Sequence, residues 1–95
     1  MIALGQYVLV RTHSAGVHMG TLSGHKKKEV VLKNARRLWS WTDARTLSEA
    51  SLRGVGPDSC ISEQVPEIYL AEAVEILPCS DIARANLDET RWTAP

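Results

Sequence analysis

The sequence predicts an α+β domain, a small curved antiparallel sheet or partly open barrel with two short helices. Three observations carry that reading. Period-two alternation rich in β-branched residues runs through the first forty positions. Two later stretches carry helix-capping signatures at their starts. Gly, Asn, Ser and Pro punctuate the chain at short intervals, as turns and strand breaks require.

The elements follow in order. QYVLVRT (6–12) sets Val8 and Val10 on one face and Tyr7, Leu9 and Arg11 on the other. HSAG (13–16) is a turn, with Gly16 free to take positive φ. VHMGTLSG (17–24) alternates as a second strand, and its Gly20 marks a bulge or the close approach of another backbone. HKKK (25–28) is a charged hairpin tip, and EVVLK (29–33) is a third strand. Asn34 supplies a turn or bulge, since Asn tolerates the left-handed region. ARRLWSW (35–41) is a fourth strand, with Arg37, Trp39 and Trp41 on one side and Arg36, Leu38 and Ser40 on the other.

Thr46-Leu-Ser-Glu49 has capping-box spacing, so a helix begins there. It buries Leu47, Ala50 and Leu52 and stops at Gly54. CISEQ (60–64), EIYL (67–70) and EAVEIL (72–77) read as short strands, with a break at Pro66 and a stop at Pro78. A final helix runs from Asp81 to Asp88, capped by Ser80, with Ile82, Ala85 and the Asn86–Leu87 pair toward the core. The whole chain, 1–95, makes one domain with a flexible tail from about residue 89.

Composition excludes several classes. The chain is 44% hydrophobic and 23% charged with net charge zero, which suits a globular protein and not a disordered one. No apolar run reaches the roughly 18 residues of a transmembrane helix, and the N-terminus lacks the pattern of a signal peptide. Cys60 and Cys79 make no disulfide framework, and free thiols point to a cytosolic setting. The charge is unevenly spread: residues 1–53 hold nine Lys or Arg against three acids, and residues 54–95 hold two against eight. Such halves attract each other, within one chain or across a homo-oligomer.

The chemistry concentrates in ARRLWSW. There is no Phe, so each Trp calls for a reason. Guanidinium presents a planar fork to phosphate, and indole faces stack on bases. Arg37, Trp39 and Trp41 would therefore grip a flat anionic ligand, with Arg36, Arg11, Ser14 and His18 as secondary polar contacts. The competing reading is that one of these tryptophans is the core aromatic. The amides around Gly16 could form an anion-binding nest. The HKKK tip attracts phosphate, but zero net charge argues against a nucleic-acid partner. His13, His18, His25, Cys60 and Cys79 lack metal-ligand spacing, so no metal or cofactor is expected. Glu72 and Glu75 fall on opposite strand faces and make no acid–base pair, whereas Glu67 could bridge to Arg36. No nucleophile–base set emerges, so no enzyme is indicated.

The segments SAGVHMGTLSGHKKKEVVLKNARRLWSW, TLSEASLRGV and VPEIYLAEAVEILPCSDIARANL resemble a family of small proteins encoded by tailed bacteriophages and found in prophages. The resemblance covers roughly residues 6–87 and points to no described enzyme class. It implies a phage accessory role in the host cytoplasm and supplies no catalytic residues. Joined to the aromatic–basic strand, it yields an expectation: a non-enzymatic protein that sequesters a nucleotide-derived host immune signal. The alternatives are an inhibitor or adaptor acting on a host defence protein, and a weak nucleic-acid binder.

Overall fold

The computed structural model describes residues 2–91. Its elements are β1 (Tyr7–Thr12), β2 (Val17–Lys26), β3 (Glu29–Ser40), α1 (Leu47–Arg53), β4 (Cys60–Ile61), β5 (Val65–Leu70), β6 (Ala73–Pro78) and α2 (Asp81–Leu87). The strands form one antiparallel sheet in the order β4-β3-β2-β1-β6, with β5 also paired to β3. The fold is therefore the predicted α+β class, with an open sheet and two short helices.

Two clusters of buried side chains lie on opposite faces of this sheet. The concave face gathers Val8, Val10, Leu22, Val30, Leu32, Ala35, Leu70 and Ala73 as the sheet curls on itself. The other face gathers Tyr7, Leu9, Met19 and Leu38 beneath Leu47 and Ala50 of α1 and Ala83 and Leu87 of α2. The alternation of β1 supplies both, with Val8 and Val10 inward to the curl and Tyr7 and Leu9 toward the helices. Among the described residues of this Phe-free chain the buried aromatic is Tyr7, at 7% exposure.

Asn34 sets the direction of everything after it. Residues 29–40 form one strand, not two, because Asn34 adopts φ 52° and the ladder continues past it. Met19 faces Arg36 and Thr21 faces Lys33, so β3 carries one extra residue against Gly20. A β-carbon on Gly20 would lie 2.9 Å from the Lys33 carbonyl oxygen, which is why glycine occupies that position. Such a bulge reverses the pleat. Before it, Val30 and Leu32 face the curl; after it, Ala35 does, and Leu38 turns to the helices.

The ends of the chain's other elements also depart from expectation. Pro66 lies within β5 and not at a break, and β4 keeps only Cys60 and Ile61 of CISEQ. Thr46 caps α1 by accepting the Glu49 amide, while Glu49 reaches back to the Arg45 amide, one residue beyond a capping box. Leu52 and Ile82 are exposed, contrary to their expected burial. The inward face of α2 is set instead by Ala83 and Leu87, one turn apart, and by Asn86, which accepts from Val55 N–H and donates to Val55 C=O. Ala85 is exposed for the same reason.

Of the tail expected to be loose from residue 89, Arg91 is fastened to the domain. Arg91 pairs with Ile61 and its guanidinium donates to the carbonyls of Val55, Gly56 and Asn86. The remainder of that tail, 92–95, lies outside the described residues. The oppositely charged halves meet within the chain: Arg11 with Glu75 at 3.8 Å, Arg36 with Asp88 at 3.6 Å, and Lys33 across the ladder from Glu67. Glu67 thus faces Lys33, and not Arg36 as its sequence position suggested.

Candidate ligand-binding site

The reversed pleat places Arg37 and Trp39 on the side of β3 where the curl opens, with Leu38 between them turned under the helices. Trp39 is 55% exposed. The backbone of Arg37 is locked to the β4–β5 connection, its N–H donating to Ser62 Oγ at 2.8 Å and its carbonyl accepting from Ser62 N–H at 2.9 Å. Its guanidinium makes no hydrogen bond or ion pair among the described residues.

Trp41 lies just past β3 and departs from simple alternation. Its ring packs against the helix-side cluster, half-buried, and its Nε1–H donates to the Ala44 carbonyl at 3.2 Å. The loop that carries it is fastened by Thr42 N–H to the buried Ser59 Oγ and by Gly56 N–H to Thr42 C=O. Arg37 and Trp39 therefore share a strand face, and Trp41 reaches the same cleft from the helix side.

That cleft, about 530 Å³, is lined by Arg37, Trp39 and Trp41, by Val17 and Leu38, and by the β1–β2 turn at Ser14–Gly16. None of these residues is acidic. The turn does not offer a full anion nest, because the Ala15 N–H already donates to Thr12 Oγ1 at 2.8 Å. Ser14 and the Arg37 guanidinium remain as polar groups for a ligand.

A second hollow of about 430 Å³ lies on the other side of the same wall. Arg37 and Trp39 line it too, together with His18, Ala35, Arg36, Ser62, Glu63, Val65 and Ile68. His18 stands opposite Arg37 in the β2–β3 ladder, 1% exposed. Its Nε2 lies 2.9 Å from the Ala15 carbonyl, which can only accept, so Nε2 carries the proton and Nδ1 is bare in the neutral ring. The same bond ties this groove to the turn that walls the cleft.

Arg36 and Arg11 stand apart from the ligand-facing groups. Arg36 reaches the rim of the groove, but its head is spent on Asp88, Thr90, the Ser62 carbonyl and Gln64. Arg11 lies on β1, paired with Glu75, and lines neither hollow. The sequence reading overlooked Glu63, Val65 and Ile68. Their place beside Trp39 depends on β5 pairing with β3 from thirty residues away, which no local pattern announces.

Burial holds the His18 pKa below its ordinary 6.5; the hydrogen bond to Ala15 opposes this, and the Arg37 charge adds to it. The folded pKa is below the unfolded one, so the unfolded chain binds more protons between them. The His18 contribution to stability is whole above about pH 6.5 and is lost as pH falls from there toward the folded value. Urea unfolding at pH 7.5, 6.5 and 5.5 should show His18→Gln abolishing part of the acid loss between the last two. Equal pH slopes for the variant and the parent would refute it. Cys79 behaves differently: burial pushes its thiol up to about 12, so it stays protonated and inert at neutral pH.

Fold and site together define a small α+β domain whose open sheet presents an aromatic–guanidinium wall between two hollows. The chain belongs to the DUF6948 family, a domain of unknown function, which matches residues 5–87. No curated protein and no solved structure matches it. No helix among the described residues is long and apolar enough to cross a membrane, and no group of three or more potential metal ligands occurs among them.

Proposed function

We propose that this chain is a non-catalytic binding protein that holds a small, flat, anionic ligand, and that in a phage setting it sequesters a nucleotide-derived immune signal in the host cytoplasm. One observation carries the reading. A single cleft, with no carboxylate among the described residues that line it, holds two indoles, a serine-bearing turn and a guanidinium that none of the described residues engages. Arg37 supplies the fork for a phosphate, and Trp39, which also lines the neighbouring groove, and Trp41 supply flat faces for the rest of the ligand. Sequestration needs affinity without turnover, and a rigid strand with a fastened loop gives preorganised contacts.

Calorimetric titration with cyclic nucleotides, linear mononucleotides and ADP-ribose-type compounds tests this. At least one should bind with Kd below about 100 µM, or about −5.5 kcal/mol. No binding at that level across the panel would end the proposal. Replacing Lys26, Lys27 and Lys28 with Ser should leave the affinity unchanged, because that tip lines neither hollow. A large loss would move the site to the tip and favour a salt-sensitive nucleic-acid contact.

A second reading draws on the neighbouring groove. Val65, Ile68 and Ala35 give it an aliphatic part beside Trp39, and Trp and Arg are enriched where protein interfaces concentrate their binding energy. An inhibitor or adaptor of a host defence protein would use that surface. Recovery of one stoichiometric host protein from infected lysate, lost in Trp39→Ala, would favour it over the small ligand.

A further inference from the structure

The groove beside the cleft contains an unusual juxtaposition. Arg37 and Glu63 both line it, yet they make no ion pair with each other. Among the described residues, neither the guanidinium nor the carboxylate has any hydrogen-bond or charge partner. Trp39, Val65 and Ile68 line the same groove. The cleft across the wall has a cation and, among the described residues, no acid. A ligand reaching from the cleft into the groove therefore meets the Arg37 charge, which lines both, and finds carboxylate acceptors in the groove alone. The acceptors are the two Glu63 oxygens and, in its neutral form, the bare nitrogen of His18.

Building on the small-ligand reading above, we infer that the ligand is a guanine nucleotide, its phosphate on Arg37 in the cleft and its base against Trp39 in the groove, with Glu63 accepting from the base. The chemistry selects the base. A carboxylate offers two parallel acceptors, and the guanine edge offers two parallel donors, N1–H and the 2-amino group. Adenine and cytosine present a single amino group there. Uracil sets one N–H between two carbonyls that the carboxylate repels. Hypoxanthine keeps N1–H and lacks the amino group, which makes it the sharpest control. Stacking on Trp39 accepts any base and cannot discriminate by itself, so the preference resides in Glu63.

The experiment measures Kd for GMP, IMP, AMP and UMP by calorimetry on the full chain and on Glu63→Gln. GMP should bind about tenfold tighter than AMP or UMP, with IMP between, in keeping with charge-assisted hydrogen bonds. Glu63→Gln should bring GMP to within about twofold of AMP, with Tm where it was, since Glu63 is exposed. Equal affinities for the four nucleotides in the parent, or a GMP preference that survives Glu63→Gln, would overturn the guanine assignment while leaving the binding function standing. A preference for AMP or UMP would overturn it equally. Absence of binding by all four and by the wider panel would remove both.

Discussion

Gly54→Ala should cost about 4 kcal/mol of stability, the sum of a strained backbone and a displaced hydrogen-bonding partner. Gly54 closes α1 at φ 83° and ψ −161°, a region that only glycine occupies comfortably. An added β-carbon would lie 2.3 Å from Asn86 Cγ and Oδ1. Asn86 cannot step aside cheaply, because its side-chain amide bonds both the N–H and the C=O of Val55. Moving it strands the Val55 N–H and leaves the Val55 C=O with only its bond from Arg91. For a domain of this size the loss is a fall in Tm of roughly 15–30 °C, read by calorimetry or circular dichroism. Asn86→Ala removes the clash and the bonds together, so the double variant should be less destabilised than the two single losses added. Strict additivity would show that Asn86 is not the obstacle, and a Tm within a few degrees of the parent would refute the backbone argument as well.

What the sequence disclosed here was local. Alternation located β1 and β2, and the cap residues Thr46, Gly54 and Ser80 fixed both helices. Residue type alone marked Gly20 as a bulge or a close approach and Asn34 as a turn or bulge, and the structure sets them opposite each other in one bulge. The consequence of that pairing was harder to see. The bulge decides which side of β3 belongs to the curl, and so sends Trp39 into solvent and Leu38 under the helices. Helix faces were less legible than helix limits. A seven-residue helix has one inward turn, and here a polar residue, Asn86, chooses it, so Ile82 and Leu52 end outside despite their hydrophobicity. Arginine roles were least legible of all. Arg36 and Arg37 are neighbours in a strand and point to opposite faces. One is spent on Asp88 from α2's end; the other faces the groove. The difference depends on contacts fifty positions apart.

Trp39→Ala and Trp41→Ala should separate along different axes, because one ring is exposed and the other is wedged against the core. Truncating Trp39 should change Tm little, within about 0.5 kcal/mol, as for other surface changes. It should weaken ligand binding by about 1–3 kcal/mol, the contribution of one stacked base, or roughly 5- to 150-fold in Kd. Truncating Trp41 should weaken binding too, but with a stability loss of about 2–3 kcal/mol, since its ring packs on the helix-side cluster and its Nε1–H bond to Ala44 is lost. Arg37→Lys completes the set: charge is kept, the planar fork is lost, and affinity should fall with Tm unmoved, since the guanidinium supports no fold contact among the described residues. Calorimetric Kd and thermal melts on the same samples give both coordinates for each variant. Trp39→Ala that melts as low as Trp41→Ala would mean its ring supports the fold. Trp39→Ala and Arg37→Lys that both bind as the parent does would remove the wall from the site and leave the cleft without its grip.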